Sequence, residues 1–527
     1  MTTPTVETRC GSVAGRREGG LAVFRGIPYA GSVAGRNRWR PAPPPTPWSG
    51  TREATEFGPV IPQSMGAFNL PIEMPSFPVS EEDALTVNVW TPAADGAKRA
   101  VMVWISCGGF SQSMGGDPMT NGAKLAAERD VVVVTFNCRP GLLGIMYLGD
   151  ILGSDYETGN MALVDQVTAL EWVRDNIASF GGDPANVTIF GCSGSGFSVA
   201  ALLTMPMARG LIRRAIPQSG VDYSAVQRHH ATELATFVLR ALDIEKTPEK
   251  IFDLPAQQIL DVHAKLRGNW REGWGWTRAA MAPVVDGVSM PMQPLDAAAA
   301  GAGVDTDVMV GCLRRDMEVP IPEELMTPEL EAALVWDINS TKELADVMAA
   351  ACDALNVSVN GVRRADVMSA GYVALQNGDV KEALGIMKLD VLMRMATIRL
   401  AQGQIASGWP AARVYYFDYA PATHGMEIPF IFGTVDQSWA GSYGSIQGAD
   451  KLQERMSAVW SSFARTGEPA HPDVPVWPRY SLEKRKTMII DETWRVENDF
   501  YGAQRKLWDG VQVGNRTALP GQVFGRP

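Results

Sequence analysis

Cysteine and histidine are scarce in this chain, which has six cysteines and five histidines among 527 residues. The cysteines lie far apart and include no C-x-x-C pair. This pattern is typical of reduced thiols rather than of a disulfide framework. We therefore expect a cytoplasmic protein.

Long apolar runs and blocks of basic residues are also missing. No stretch is long and apolar enough to span a bilayer, and residues 1–5 lack the basic and apolar segments of a secretory signal. The net charge of −11 argues against nucleic acid or an anionic membrane as a partner. What is present is the composition of an ordinary soluble globular protein, 46% hydrophobic and 20% charged, with ample material for a core.

Residues 187–203 contain the main sequence signal for catalysis. A β-rich run ends at Gly191-Cys192-Ser193-Gly194-Ser195, and a helix-compatible run follows from 199 to 203. Such a pattern is typical of a strand that enters a helix through a very tight turn and exposes the central serine hydroxyl, in the form G-x-S-x-G. Ser193 is therefore the candidate nucleophile, although Ser195 replaces the last glycine. The alternative is a glycine-rich turn without chemistry.

Strands and helices alternate from residue 85 onward, which predicts an α/β protein with a large, mostly parallel sheet and helices on both faces. Two long, mostly helical stretches, roughly 228–300 and 322–402, interrupt this alternation. We expect these inserts at the carboxyl ends of the strands, where ligands bind in open α/β sheets. The predicted strands are 85–90, 101–105, 131–136, 187–192, 212–218, 307–310, 413–417 and, as the last of them, 488–490.

A catalytic serine needs a base, and one of the five histidines fits best. His424 lies just after the strand at 413–417, late in the chain, where the order of nucleophile, acid and histidine would place it. The alternative is a structural histidine in a loop. The others are assigned to a helix start (His229 and His230), a charged helical face (His263) and a proline-flanked loop (His471).

The acid that orients the base should follow a strand between the serine and the histidine. Asp316 follows the strand at 307–310 and is our first choice, with Glu318 second. Each has an alternative role as the partner of Arg314 or Arg315 in a surface ion pair.

Backbone amides for an oxyanion hole are predicted in two places. Gly108 and Gly109 follow the strand at 101–105, and Gly194 follows the candidate nucleophile directly. A diglycine is also common in ordinary turns. Taken alone, Gly108 and Gly109 are therefore a weak indication of an oxyanion hole.

Long motifs throughout the chain resemble the type-B carboxylesterase family, which includes bacterial nitrobenzyl esterases, carbamate hydrolases and cholinesterases. The matching segments are residues 24–30 (Phe-Arg-Gly-Ile-Pro-Tyr-Ala), 82–89, 176–183 followed by 187–193, and 424–430. The resemblance implies an α/β-hydrolase fold over 1–527 as a single catalytic domain, with the helical inserts as a cap or regulatory subdomain. It implies the triad Ser193, Asp316 and His424, an oxyanion hole of Gly108, Gly109 and Gly194, and no metal or cofactor.

The departures from the family's motifs lie beside these residues. Ser106 and Cys107 replace the first two residues of H-G-G-G-F, and Cys192 and Ser195 alter G-E-S-A-G. Cys192 removes a negative charge near the imidazolium that forms during catalysis. Asp316 stands where the family has glutamate, so its loop must approach His424 more closely.

Three functions are compatible with these residues. The first is hydrolysis of a small apolar carboxylic ester, or a carbamate, through an acyl-serine by a monomer or homodimer. The second keeps the acyl-serine but passes the acyl group to another acceptor, in acyl transfer, lactone formation or cyclisation. The third is a non-catalytic binding protein on the same fold.

Overall fold

The computed structural model describes residues 3–63, 76–106, 108–221, 225–268, 282–303, 305–316, 340–346, 357–359, 365–410, 412–436 and 448–513. Within these ranges the central element is a sheet of eleven strands. Numbered in chain order, they are β1 (Arg16–Glu18), β2 (Leu21–Pro28), β3 (Thr86–Thr91), β4 (Arg99–Trp104), β5 (Val132–Phe136), β6 (Gly182–Cys192), β7 (Arg214–Gln218), β8 (Asp307–Leu313), β9 (Arg413–Phe417), β10 (Lys486–Ile490) and β11 (Arg495–Asn498).

The strands lie in the order β11-β10-β9-β8-β7-β6-β4-β5-β3-β2-β1. Strands β4 to β10 are parallel to their neighbours within that set, whereas β1, β2, β3 and β11 are joined by antiparallel pairing. The prediction of an α/β fold with a mostly parallel sheet is confirmed. The strand at 488–490 is not the last, because β11 pairs with it at the edge. The polar composition and partial exposure of β11 give it little apolar signal.

Alternate residues along the inner strands pack on opposite faces of the sheet. In β4, Val101 and Val103 belong to one buried cluster, whereas Met102 and Trp104 belong to another. Both faces are therefore covered, which explains why every residue of β5 is buried.

Helices supply that cover, and ten of them are labelled here in chain order. They are α1 (Ala123–Arg129), α2 (Met161–Asn176), α3 (Gly194–Leu202), α4 (Arg228–Ala241), α5 (Ala256–Gly268), α6 (Ala365–Leu375), α7 (Val380–Leu389), α8 (Met395–Ala406), α9 (Glu427–Phe432) and α10 (Ala449–Thr466). Short helices occupy Gly141–Ile145, Gly149–Leu152, Pro294–Ala299 and Gly502–Lys506. Among these helices, none is both long and apolar enough to cross a membrane.

The two predicted inserts are helical where the structure describes them. Helices α4 and α5 lie in the first, and α6, α7 and α8 lie in the second. One departure is a short strand, Val357–Val359, which pairs antiparallel with Val511–Val513. Residues 269–281, 317–339 and 347–356 lie outside the described residues, so the inserts are described only in part. The remaining small sheets join Thr5–Thr8, Gly11–Ala14 and Thr51–Glu53, and Val226–Gln227 with Val284–Val285.

A buried ion pair connects the loop after β5 to α2. Arg139 and Asp165 are 1% and 0% exposed, and the guanidinium donates to both carboxylate oxygens at 2.8 and 2.6 Å. The Nη1 amino group of Arg139 donates to the carbonyls of Asn37, Arg38 and Arg40. The pair therefore attaches an N-terminal segment to the centre of the molecule.

We predict that Asp165→Asn destabilises the protein by about 3–5 kcal/mol, because it leaves the Arg139 charge buried without its counter-ion. The free energy of unfolding measured in denaturant tests this. The matched control is Glu245→Gln, which removes the carboxylate of an exposed pair with Arg240 and should change stability little. Equal effects of the two substitutions would contradict the prediction.

Candidate active site

The candidate nucleophile lies in a strained turn between β6 and α3. Ser193 has φ +63° and ψ −125°, an unusual conformation for a residue with a side chain. Its N–H donates to the Gln218 carbonyl at 2.9 Å, and its own carbonyl accepts from Phe197 at 2.9 Å. The neighbouring strand β7 and the first turn of α3 thus hold the serine in this conformation.

Glycines allow the backbone to pack this closely. A Cβ at Gly196 would lie 2.3 Å from the Gln218 carbonyl oxygen, and one at Gly191 would lie 2.7 Å from the Ser195 Cβ. A Cβ at Gly220 would lie 2.1 Å from the Ser193 carbonyl oxygen. Ser195 is itself buried. The missing side chain at Gly191 leaves room for the Ser195 Cβ, so the turn accommodates a serine in place of the family's last glycine.

The predicted oxyanion loop follows β4, the strand beside β6. Gly109 and Phe110 both have positive φ, +53° and +56°. The Phe110 carbonyl accepts from Gly141 at 2.6 Å, and its ring packs edge-on against Phe197 of α3 at 5.8 Å. Gly194 opens α3, so its N–H has no acceptor within the helix. The loop bearing Gly108 and Gly109 is thus attached to the helix that begins at Gly194.

Ser106 closes this loop on itself. Its hydroxyl accepts from the Met114 N–H at 2.9 Å, and its carbonyl lies 3.8 Å from the Cys138 thiol. Ser106, which departs from the family's motif, therefore stabilises the conformation of this loop. Cys107 lies outside the described residues.

The predicted base and acid meet. The Nδ1 of His424 lies 2.6 Å from Oδ1 of Asp316, and Oδ2 of Asp316 accepts from the Leu313 N–H at 3.0 Å. Asp316 is 2% exposed, whereas the His424 side chain is 23% exposed. The loops after β8 and β9 are joined because the Arg315 N–H donates to the Ala422 carbonyl at 3.0 Å. This close approach lets the shorter aspartate reach the histidine.

The structure also tests some of the other candidate acids and histidines from the sequence. Glu318 lies outside the described residues. His229 is exposed at the start of α4, as predicted. The assignment of His263 to a charged face is wrong, because its side chain is buried and its ring lies 3.1 Å from the position of a Cβ on Gly141. The charged residues that flank His263 in α5 concealed its buried position.

Sequence reasoning missed a buried carboxyl beside the acid–base pair. Glu427 begins α9 and is 0% exposed, and its Oε1 accepts from the Gln218 amide at 3.1 Å. Burial, and secondly the charge of Asp316, raises the pKa of Glu427 to about 7. The signal available in the sequence was a lone acidic residue inside the apolar run 426–432.

Cys192 lies at the end of β6, opposite Gln218 in the register. Burial raises the pKa of its thiol well above the usual value, and the charges of Glu427 and Asp316 raise it further. This cysteine is therefore a neutral group at working pH, 5% exposed, and unsuited to act as a thiolate.

Comparison with known proteins supports the family resemblance over nearly the whole chain. The model of the carboxylesterase family matches residues 2–508. The chain belongs to the carboxylesterase family. It is 32% identical over 508 residues to the para-nitrobenzyl esterase of Bacillus subtilis, covering 95% of this chain and 97% of the relative. It is 31% identical over 527 residues to the phenmedipham hydrolase of Pseudarthrobacter oxydans, covering 95% and 97%.

A solved structure of PNB esterase superposes with a TM-score of 0.82 at 32% identity, over 96% of this chain and 99% of that one. The central sheet of this chain is therefore the α/β-hydrolase sheet that the motifs predict. The chain is an enzyme of the carboxylesterase type, and its sheet brings the carboxyl ends of β6, β8 and β9 together at one edge.

We predict that Gly220→Ala abolishes reaction of this carboxylesterase with a fluorophosphonate or prevents folding. The new Cβ would lie 2.1 Å and 2.5 Å from backbone atoms of Ser193 and Phe197, so the turn must move. Intact mass and thermal unfolding measure the two outcomes. The control is Gly385→Ala in α7, where nothing described lies within 4 Å of the Cβ position. Normal labelling by the Gly220 variant would contradict the prediction.

Proposed function

We propose that this carboxylesterase hydrolyses small apolar carboxylic esters, with carbamates as the related class, through an acyl intermediate on Ser193. The observation that carries the proposal is the 2.6 Å contact between His424 and the buried Asp316, on the loops that follow β9 and β8 in the same sheet as the strand β6 that ends at Ser193. An imidazole oriented by a carboxylate is the group that activates a serine hydroxyl for attack.

In the proposed reaction, His424 takes the Ser193 proton as the hydroxyl attacks the carbonyl carbon. Asp316 accepts from Nδ1, which makes Nε2 the nitrogen that takes the proton and holds the imidazole in one orientation. The amides of Gly108, Gly109 and Gly194 stabilise the negative oxygen, and losing one such donor typically costs roughly a hundredfold or more in rate. His424 then protonates the leaving alcohol, and water releases the acyl group by the same steps.

The names of the relatives support the substrate class. One is a para-nitrobenzyl esterase and another a phenmedipham hydrolase, so ester and carbamate substrates both fit this chain. Transfer of the acyl group to an acceptor other than water is the alternative that uses the same residues, and the experiment below separates the two.

We propose further that residues 1–527 form one catalytic domain, with the first helical insert covering the oxyanion loop. The position of α5 supports this arrangement. His263 of α5 packs against Gly141, whose N–H donates to the Phe110 carbonyl.

We predict a single fluorophosphonate adduct on the wild-type protein and none on Ser193→Ala, measured by intact mass. Ser195→Ala is the matched control, because it removes the other hydroxyl of the same turn and should keep the adduct. A folded wild type without an adduct would contradict the proposal and favour a binding protein. A wild type that consumes 4-nitrophenyl esters only when an alcohol or amine acceptor is added would favour acyl transfer.

We predict that Asp316→Asn lowers kcat/KM on such an ester by about 10⁴-fold, because the amide no longer selects the productive imidazole tautomer. Glu318→Gln is the comparison, and it should have little effect. A large loss in Glu318→Gln with a small loss in Asp316→Asn would reverse the assignment of the acid.

A further inference from the structure

The amides of the proposed oxyanion hole come from two distant parts of the chain. Gly108 and Gly109 lie in the loop after β4, whereas Gly194 opens α3. Such amides stabilise an oxyanion only when they converge on one position from about 2.7–3.1 Å. The spacing between the loop and the start of the helix therefore has to be fixed by contacts elsewhere in the protein.

Cys138, which lies just after β5, contacts the loop on both sides of the two glycines. Before them, the Ser106 carbonyl lies 3.8 Å from the Cys138 thiol. After them, the Ser113 hydroxyl accepts from the Cys138 N–H at 2.9 Å and lies 3.3 Å from the Cys138 Sγ atom. Cys138 and Ser113 are both buried. One residue thus contacts the loop near its beginning and near its end.

Gln166 of α2 connects Cys138 to the start of α3. Its Nε2 atom donates to the Ser198 hydroxyl at 3.3 Å, and that hydroxyl donates to the Gly194 carbonyl at 3.1 Å. The same Nε2 atom lies 3.8 Å from the Cys138 Sγ atom, which accepts from it. A continuous line of buried polar groups therefore runs from the loop, through Gln166, to the residue that supplies the third amide.

An amide is a costly side chain at this position. Gln166 is 0% exposed, and its Oε1 atom has no hydrogen-bond partner among the described residues. Burying an amide without full hydrogen bonding costs stability, whereas a leucine would fill similar space without that cost. A leucine would make neither contact of Nε2, so these two contacts give a reason for the glutamine.

We propose that Gln166 is a positioning residue for the oxyanion hole, and that it fixes the spacing between the 108–109 loop and Gly194 through Cys138 and Ser198. This inference rests on the proposed function, because it takes these amides to be the oxyanion donors. Gln166 is fully buried and acts through its neighbours. Its contribution is therefore to the stability of the transition state and not to the binding of the substrate in its ground state.

Two ketones separate these two effects. With hexyl trifluoromethyl ketone, the Ser193 oxygen adds to the ketone carbon, the Ser193 proton passes to His424, and the ketone oxygen becomes an oxyanion. Hexyl methyl ketone lacks the electron-withdrawing fluorines and binds without this addition. The ratio of their inhibition constants, measured against hydrolysis of a 4-nitrophenyl ester, therefore reports on the oxyanion hole rather than on the alkyl pocket.

Gln166→Leu keeps a similar volume but removes both contacts of the amide. We expect it to weaken binding of the trifluoromethyl ketone about 10- to 100-fold relative to the methyl ketone, and to lower kcat/KM for the ester by a similar factor. A purely structural role would lower the melting temperature and leave the ketone ratio of the folded protein unchanged.

Variants of Cys138 test the path itself. Cys138→Ala removes the contacts of the thiol with the loop and should change the ketone ratio in the same direction. Cys138→Ser keeps a donor and an acceptor, so its ratio should lie closer to that of the wild type. The double variant Gln166→Leu with Cys138→Ala should be no worse than the more damaging single variant, because both substitutions break one path.

Gln404→Leu is the matched control. Gln404 is a fully buried glutamine of α8, and its Oε1 atom accepts from the Ala412 N–H at 3.0 Å, just before β9 begins. This is the opposite end of β9 from the His424 loop. The control should therefore lower the melting temperature without changing the ketone ratio.

A folded Gln166→Leu variant with an unchanged ketone ratio would overturn this inference alone, and so would fully additive losses in the double variant. If Gln166→Leu does not fold, Cys138→Ala and Ser198→Ala provide the same test, one for each contact of the amide. A wild type that binds the two ketones equally well would instead overturn the proposed function.

Discussion

The backbone hydrogen bond from Ser193 to the Gln218 carbonyl fixes the most strained residue of the site to the neighbouring strand. Gln218 does more than accept this bond. Its side-chain amide donates to Glu427, and its side-chain oxygen accepts from Trp460 of α10. One residue at the end of β7 thus connects the Ser193 turn, the helix α9 after the His424 loop, and the helix α10. The geometry of the serine depends on this strand being in register with β6.

The departures from the family's motifs make physical sense once their neighbours are known. Ser106 closes the predicted oxyanion loop, and Ser195 fits because Gly191, which faces it, has no side chain. The short side chain of Asp316 reaches His424 because the backbones of the two loops are hydrogen-bonded to each other. The thiol of Cys192 is hydrogen-bonded to the buried carboxyl of Glu427, and its raised pKa keeps it neutral. The residues that depart from the motifs therefore leave the Ser193 turn and the contact between His424 and Asp316 intact.

Much of this arrangement could be predicted from the sequence, because it depends on local patterns. Strand–helix alternation predicts the parallel sheet, and the small residues around Ser193 predict the turn. The rest depends on contacts between distant parts of the chain. Gln218 and Glu427 are 209 residues apart, and no local pattern relates them. The burial of His263 and the edge strand β11 were missed because each has charged or polar neighbours in the sequence.

The distance along the chain between the proposed base and the proposed acid has a consequence for synthesis. Asp316 and His424 are 108 residues apart, and they meet only when β9 has joined the sheet next to β8. A growing chain that ends before β9 lacks His424. On the proposed mechanism, such a chain has no group that activates Ser193, so a chain released early has no hydrolytic activity.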